Sequence, residues 1–319
     1  SNKESNLGCE RTGGYMIKSV TVTNYLNESL QLELGFPEKS GFLITSIDGL
    51  GPVKATINMT EMSTTDGTSY NSARMSSRNI VMALKLLDNP TVEDSRQKTY
   101  KYFPIKKRVR LVIETDNRTC ETYGYVESNE PDIFSNNETA QISILCPDPY
   151  FYSTGENGIT TTVFSTIEPM FEFPFDNESL TEKLLNFGEI SNKTEQTIYY
   201  TGDAEVGVTI SIHALGTVES LEISNLGTHE LMAIDDTRLT MLTGSGIIAG
   251  DDITISTVKG AKSITLLRNG MYTNILNALG RDTDWFQLSK GDNIFAYTAT
   301  TGAQSLLFMI ENQTVYEGV

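Results

Sequence analysis

The chain has 319 residues, of which 39% are hydrophobic and 20% charged. That is enough for two domains with cores of their own and too ordinary for wholesale disorder. Its formal net charge of −17 is uneven: residues 1–147 hold 16 Lys+Arg against 18 Asp+Glu, and residues 148–319 hold 8 against 23. The acidic second half repels nucleic acid and anionic membrane surfaces, and no apolar run approaches the roughly 20 residues that span a bilayer.

In chain order, residues 1–15 lack an apolar core and read as a disordered leader. From Met16, "MIKSVTVTNYLNESLQLEL" alternates and breaks at Asn27, which predicts a hairpin with Leu30, Leu32 and Leu34 on one face. "GFLITSIDGLGPVKATINMTEM" predicts two strands around a glycine-rich turn. "MSTTDGTSYNSARMSSRNIVMALKLL" reads as a long polar loop followed by a strand over 79–87.

One helix stands out. In "NPTVEDSRQKTYKYFP", Thr91 with Asp94 three residues on resembles a capping box. Glu93 and Asp94 in the first turn, and Lys98 and Lys101 toward the end, suit the helix dipole, while Pro104 stops the helix. A helix over about 91–103 is expected to pack on a sheet. Three more strands follow to Cys146. "CPDPYFY" then places Pro147, Asp148, Pro149 and Tyr150 as a stiff interdomain joint, since each proline fixes its own φ and restricts the residue before it.

The second half repeats the strand theme. "EVGVTISIHALG" puts Val206, Val208, Ile210 and Ile212 on one face. "RLTMLTG", "DDITISTVKG", "KSITLLRNG" and "NIFAYTATTGAQSLLFMIENQTVYEGV" follow as short strands punctuated by glycine, and "ESLTEKLLNFGEI" leans toward a bent strand. Many short strands with regular turns predict a sandwich or jelly roll. The expected domains are therefore 16–147 and 148–319.

Catalytic signatures do not appear. The two histidines, His213 and His229, lie on a polar strand face and in a turn, with no nucleophile motif beside either. The "DD" pairs at 235–236 and 251–252 read as turn residues bonding nearby amides, with a calcium site as the sharper alternative. Neither a cofactor nor a structural metal is expected. Cys120 and Cys146 read as free thiols. The basic run "KYFPIKKRVR", together with the helix, supplies Arg96, Tyr100, Lys101, Lys106, Lys107 and Arg108 as a candidate oligomer interface. Trp285 reads as core or edge packing, or alternatively as a platform stacking on a sugar ring.

Several stretches together resemble one family. "ISILCPDPYF", "AGDDITISTVKGAKSITLLRNG", "DWFQLSKGDNIFAY" and the end "VYEGV", with "SIDGLGPVKATI" and "GDAEVGVTISI", are similar to the distal tail proteins (Dit) of long-tailed, siphovirus-type phages and prophages of Gram-positive bacteria. The resemblance runs from about Met16 to the end. It implies a mainly β protein with an N-terminal β-sandwich or split-barrel domain that forms a hexameric ring. A C-terminal galectin-like or jelly-roll sandwich would follow. It also implies a virion tail-tip component assembled in the host cytoplasm, without enzymatic activity. The implied partners are the tail-tube protein, a tail-tip hub or tail-associated lysin-like protein, and in some phages a receptor-binding protein. The ring must pass DNA without holding it, so the basic run is expected at a protomer contact and not in the channel. A glycan-binding sandwich module centred on Trp285 is the alternative.

Overall fold

Strands dominate the computed structural model, as the alternation predicts. It describes residues 16–62, 66–134, 138–155, 158–168 and 189–319. The expected leader and most of the ambiguous stretch 178–190 lie outside the described residues. The chain divides into two units, Ser1–Gly158 with Tyr316–Val319, and Ile159–Val315. The second unit is thus inserted between the body of the first and its last four residues.

The first unit contains β1 (Ile17–Thr23), β2 (Ser29–Glu33), β3 (Phe42–Asp48), β4 (Ala55–Glu61), β5 (Thr68–Met75), β6 (Arg78–Leu86), β7 (Arg108–Thr115), β8 (Thr119–Pro131), β9 (Thr139–Cys146) and β10 (Phe151–Ser153). It also has a one-turn helix α1 (Pro37–Ser40) and the longer α2 (Val92–Tyr102). The main sheet runs β2-β1-β7-β8-β9-β6-β3, with β10 added beside β8. The two ends of that path, β2 and β3, come into contact, so the sheet curls into a split barrel. Inward alternation fills it: Val20, Val22, Leu32, Ile80, Met82, Leu84, Leu111, Ile142 and Ile144 form one core. Asn27 takes the left-handed conformation, φ 62°, that the β1–β2 turn requires.

α2 starts where its cap predicts. Thr91 accepts from the Asp94 N–H at 3.2 Å, and Thr91 Oγ1 donates to Asp94 Oδ2 at 2.6 Å. Such a cap is worth about 1 kcal/mol. The helix rests on β6 and β8.

Two expectations fail, each for a local reason. The polar stretch before β6 is not a loop: residues 68–75 form β5, which pairs with β4 as a separate two-stranded arm. Every β4 residue is exposed and β5 nearly so, which removes the buried face that alternation reports. "RLTMLTG" is not a strand but lies in α3 (Asp236–Thr243). Asp235 caps that helix by accepting from the Thr237 and Arg238 N–H groups, and Gly244 ends it at φ 83°. Those two caps outweigh the glycine-punctuated strand reading.

The second unit contains β11 (Ile159–Val163), β12 (Ser165–Glu168), β13 (Glu189–Asn192), β14 (Glu195–Tyr200), β15 (Val206–Gly207), β16 (Thr209–Ala214), β17 (Glu222–Asn225) and β18 (Glu230–Ala233). After α3 come β19 (Asp252–Ser256), β20 (Ser263–Arg268), β21 (Met271–Asn274), β22 (Gln287–Leu288), β23 (Gly291–Thr298) and β24 (Leu306–Gln313). A six-stranded sheet, β11-β24-β16-β19-β20-β21, faces a four-stranded one, β14-β23-β17-β18. Tyr297 of β23 stacks on Phe308 of β24 at 4.8 Å between the sheets, and Phe164 meets the same Phe308 ring edge-on at 4.7 Å. This is the predicted sandwich. Among the described residues no helix is long and apolar enough to cross a membrane.

Cys120 and Cys146 are free and buried in the first core. Burial pushes the Cys120 thiol up to about 11 and raises that of Cys146. Iodoacetamide at neutral pH is therefore expected to leave both unmodified in the folded chain and to alkylate both in denaturant. Peptide mass mapping reads the result, and native-state alkylation at either position would contradict the burial.

Candidate functional site

Several of the basic residues singled out from sequence have defined partners within the first unit. Asn24, in the β1–β2 turn, donates to the Lys101 carbonyl at 3.1 Å and so ties that turn to the end of α2. Lys101 pairs with Glu28 at 2.9 Å, and the hydrogen bonds from Lys101 and Asn24 hold the Glu28 carboxyl below its ordinary range. Lys107 lies 5.3 Å over the Tyr25 ring, and Arg108 lies 4.2 Å over Tyr123. Along α2, Arg96 binds Glu93 at 3.0 Å and sits 5.9 Å from the Tyr100 ring. Lys106 occupies a left-handed turn, φ 66°, with its N–H bonded to the Val126 carbonyl.

Aromatic rings therefore partner these cations more than carboxylates do. Tyr25, Leu26, Tyr100, Ile105, Tyr123 and Tyr125 are all exposed among them. The sequence reading missed Tyr123 and Tyr125, although a signal was present. "CETYGYV" sets both opposite the inward Cys120, Thr122, Gly124 and Val126. Gly124 has to be small, since a Cβ there would lie 2.5 Å from the Ile144 side chain.

The second exposed apolar surface is the arm. Ile57, Met59, Met62 and Tyr70 are more than half exposed, and Met59 stands opposite Tyr70 across the β4–β5 ladder. Polar side-chain bonds lace the strands together, Asn58 to Ser72 at 3.0 Å and Asn71 to Thr60 at 2.6 Å.

The proline segment is placed differently from the sequence expectation. Pro147, Asp148, Pro149 and Tyr150 lie inside the first unit, and the division falls after Gly158. Asp148 accepts from the Tyr150 N–H at 3.1 Å and the Tyr152 hydroxyl at 2.6 Å. β10 then pairs with β8, which anchors the segment within the first unit. The reason lies in a residue that pattern reading passed over. Arg78, 1% exposed, donates to the carbonyls of Pro149 (2.8 Å), Gly49 (2.5 Å), Gly51 (2.6 Å) and Glu317 (2.6 Å), and stacks 4.2 Å from the Phe151 ring. One guanidinium thereby fastens the proline corner, the β3–β4 connection and the chain end.

Trp285 is half-buried, with the Lys262 amine 5.1 Å from its ring, so part of the ring is already in a contact. Both "DD" pairs have structural partners. Asp235 is the α3 cap. Asp251, fully buried, accepts from Arg268 Nε at 2.7 Å and Nη2 at 2.5 Å and from the Ile248 N–H at 2.9 Å. His213 Nδ1 lies 2.6 Å from Asp252 Oδ1 across the β16–β19 ladder. This agrees with the hydrogen-bonded strand histidine that the alternation suggests.

No family model and no curated protein matches the sequence. Among solved structures, the chain is similar to the SPP1 Dit (gp 19.1) protein, described as a paradigm of the hub adsorption apparatus in phages infecting Gram-positive bacteria. The TM-score is 0.60 at 13% identity, covering 93% of this chain and 98% of that one. Two structures of the phage P2 baseplate in its activated conformation, with Ca and with Sr, each score 0.44 at 10% identity, covering 92% of this chain and 97% of theirs. The chain thus has the fold of the SPP1 Dit protein, in both units.

Proposed function

We propose that the chain is a structural component of a phage or prophage tail tip. In this reading it forms a hexameric ring that links the tail tube to the tail-tip hub, and it catalyses nothing. The observation that carries the reading is the likeness to SPP1 Dit over 93% of the chain, since a match across both units is harder to reach by chance than one on a common sandwich.

The surfaces support assembly. An isolated two-stranded hairpin is marginally stable in water, and the β4–β5 arm exposes four large apolar side chains. A neighbouring copy that covers Ile57, Met59 and Tyr70 would supply the missing burial. A ring needs a head-to-tail contact between two different surfaces of each copy. The cation and tyrosine face around Lys106, Lys107 and Arg108 is a second surface of the kind enriched at interfaces. The acidic second unit would repel its counterparts in neighbouring copies and so favour a peripheral position. The implied partners are the tail-tube protein, the hub or lysin-like protein and a receptor-binding protein.

Negative-stain electron microscopy of the concentrated protein is expected to show six-fold rings in top view. The triple variant Ile57→Ser, Met59→Ser, Tyr70→Ser is expected to keep its melting temperature and lose the rings. Rings that form unchanged in that variant would remove the arm from the interface. A charge reversal at Lys106, Lys107 and Arg108 that leaves assembly intact would do the same for the basic face. Monomers alone, with the candidate tube and hub proteins present, would refute the ring.

A further inference from the structure

The outward face of the six-stranded sheet carries a trough of about 400 Å³, lined by Val163, Leu307, Met309, Ser211, His213 and Asp252, with Thr254 at its end. Its layout follows from strand register. Leu307 stands opposite His213 and His213 opposite Asp252, while Val163, Met309, Ser211 and Thr254 form the adjoining row. The alternate residues Ile210, Ile212, Ile253, Ile255 and Phe308 are buried in the sandwich, so these two rows are the exposed ones.

The trough is apolar at the β11–β24 end and polar at the β16–β19 end. Across four strands it spans about 14 Å, three strand spacings. His213 and Asp252 bind each other by Nδ1 and Oδ1, and both side chains remain nearly half exposed, at 41% and 48%. His213 Nε2 and Asp252 Oδ2 have no protein partner among the described residues. They stand beside the hydroxyls of Ser211 and Thr254 as available hydrogen-bonding groups.

Charge and backbone restrict the occupant. Among the described residues no lysine or arginine lines the trough, Asp252 lies within it, and residues 159–315 hold 20 Asp+Glu against 8 Lys+Arg. Phosphates and polyanions are therefore repelled. A peptide would need free main-chain groups to pair with, yet β16 is laddered on both sides, to β24 and β19, and β19 to β16 and β20. A flat neutral molecule with an apolar face and a rim of hydroxyls meets both halves. We propose that this trough binds a neutral saccharide of one or two rings, with C–H faces on Val163, Leu307 and Met309. The sugar hydroxyls would donate to Asp252 and His213 and exchange hydrogen bonds with Ser211 and Thr254. This site is distinct from Trp285, which is not among its lining residues, and it stands whether or not the chain assembles into rings.

The test is saturation-transfer NMR on the full chain with maltose, lactose, methyl β-glucoside and diacetylchitobiose at millimolar concentration. Transfer is expected from at least one of them. Its affinity should fall about tenfold or more in Asp252→Ala and in Thr254→Val, as expected when a buried sugar hydroxyl loses its partner. Trp285→Phe should leave it unchanged, and melting curves should confirm that each variant is folded. Absence of transfer from all four would overturn the proposal, as would transfer that survives Asp252→Ala or disappears in Trp285→Phe. A change in sedimentation with Asp252→Ala, without any saccharide effect, would reassign the trough to a contact between copies and equally end the proposal.

Discussion

Arg78→Met is expected to lower the stability of the first unit by about 3–5 kcal/mol, the range for removing one side of a buried, charge-assisted network. Methionine keeps most of the stem and can still lie against Phe151, so the loss isolates the hydrogen bonds. Four carbonyls, those of Gly49, Gly51, Pro149 and Glu317, lose their shared donor at once. Replacing a buried ion pair by apolar groups is often harmless, because both polar members leave together. Here the carbonyls belong to the backbone and cannot leave. Arg78→Lys is expected to recover little, since one ammonium cannot match a planar fork that reaches four separate oxygens. Burial lowers the Arg78 pKa, but an arginine stays charged at neutral pH and remains a full donor set.

The readout should be local as well as global. The Val319 N–H binds the Leu50 carbonyl, Arg118 lies 4.4 Å over Tyr316 and donates to the Gly318 carbonyl at 3.5 Å, and these contacts hold the last residues beside Arg78. Hydrogen exchange is expected to rise first in peptides covering 316–319 and 147–153, with urea unfolding followed by circular dichroism for the whole unit. A wild-type midpoint in Arg78→Met would show that the carbonyls find other donors and that the clamp is not what closes the unit.

In the second unit, Asp251→Ala is expected to cost about 3–5 kcal/mol, because it strands the Arg268 guanidinium in a largely buried site. Asp251 is fully buried, and Arg268 also donates to Ser245 Oγ at 2.6 Å and the Gly246 carbonyl at 2.7 Å. Its hydrogen bonds to Asp251 raise the Arg268 pKa still further, so the cation cannot escape by losing its proton. The pair thereby fixes the turn that leads from α3 into β19. Trp285 lies in this unit and gives its unfolding a fluorescence signal. The double variant Asp251→Leu, Arg268→Met should recover much of the loss, since both charges leave together. A single-variant loss under about 1 kcal/mol would mean that water reaches Arg268 and that the pair is ornamental to the fold.

Much of this protein is legible in its local sequence. Alternation reads as strand wherever one face is buried, as in "EVGVTISIHALG", because the pleat turns a two-residue period into a core face. The α2 helix is equally plain, since Thr91, Asp94, Lys101 and Pro104 act on their own neighbours within a turn or two. β4 reads as a strand, but its partner β5 escaped because it is exposed at nearly every residue, and without a buried face a strand has no period to report. α3 escaped because the short stretch "RLTMLTG" reads as a glycine-punctuated strand, while a cap at each end makes it a helix.

The tertiary structure alone decides the rest. It sets Lys107 over Tyr25 and Arg108 over Tyr123, pairs that no local pattern announces. The proline corner reads from sequence as a joint, since Pro147 and Pro149 do stiffen it. It belongs within the first unit because Arg78 reaches Pro149 at a separation of 71 residues and Glu317 at 239. Local pattern records what a residue does to its neighbours along the chain, while a buried guanidinium takes whichever carbonyls the closed barrel delivers to it.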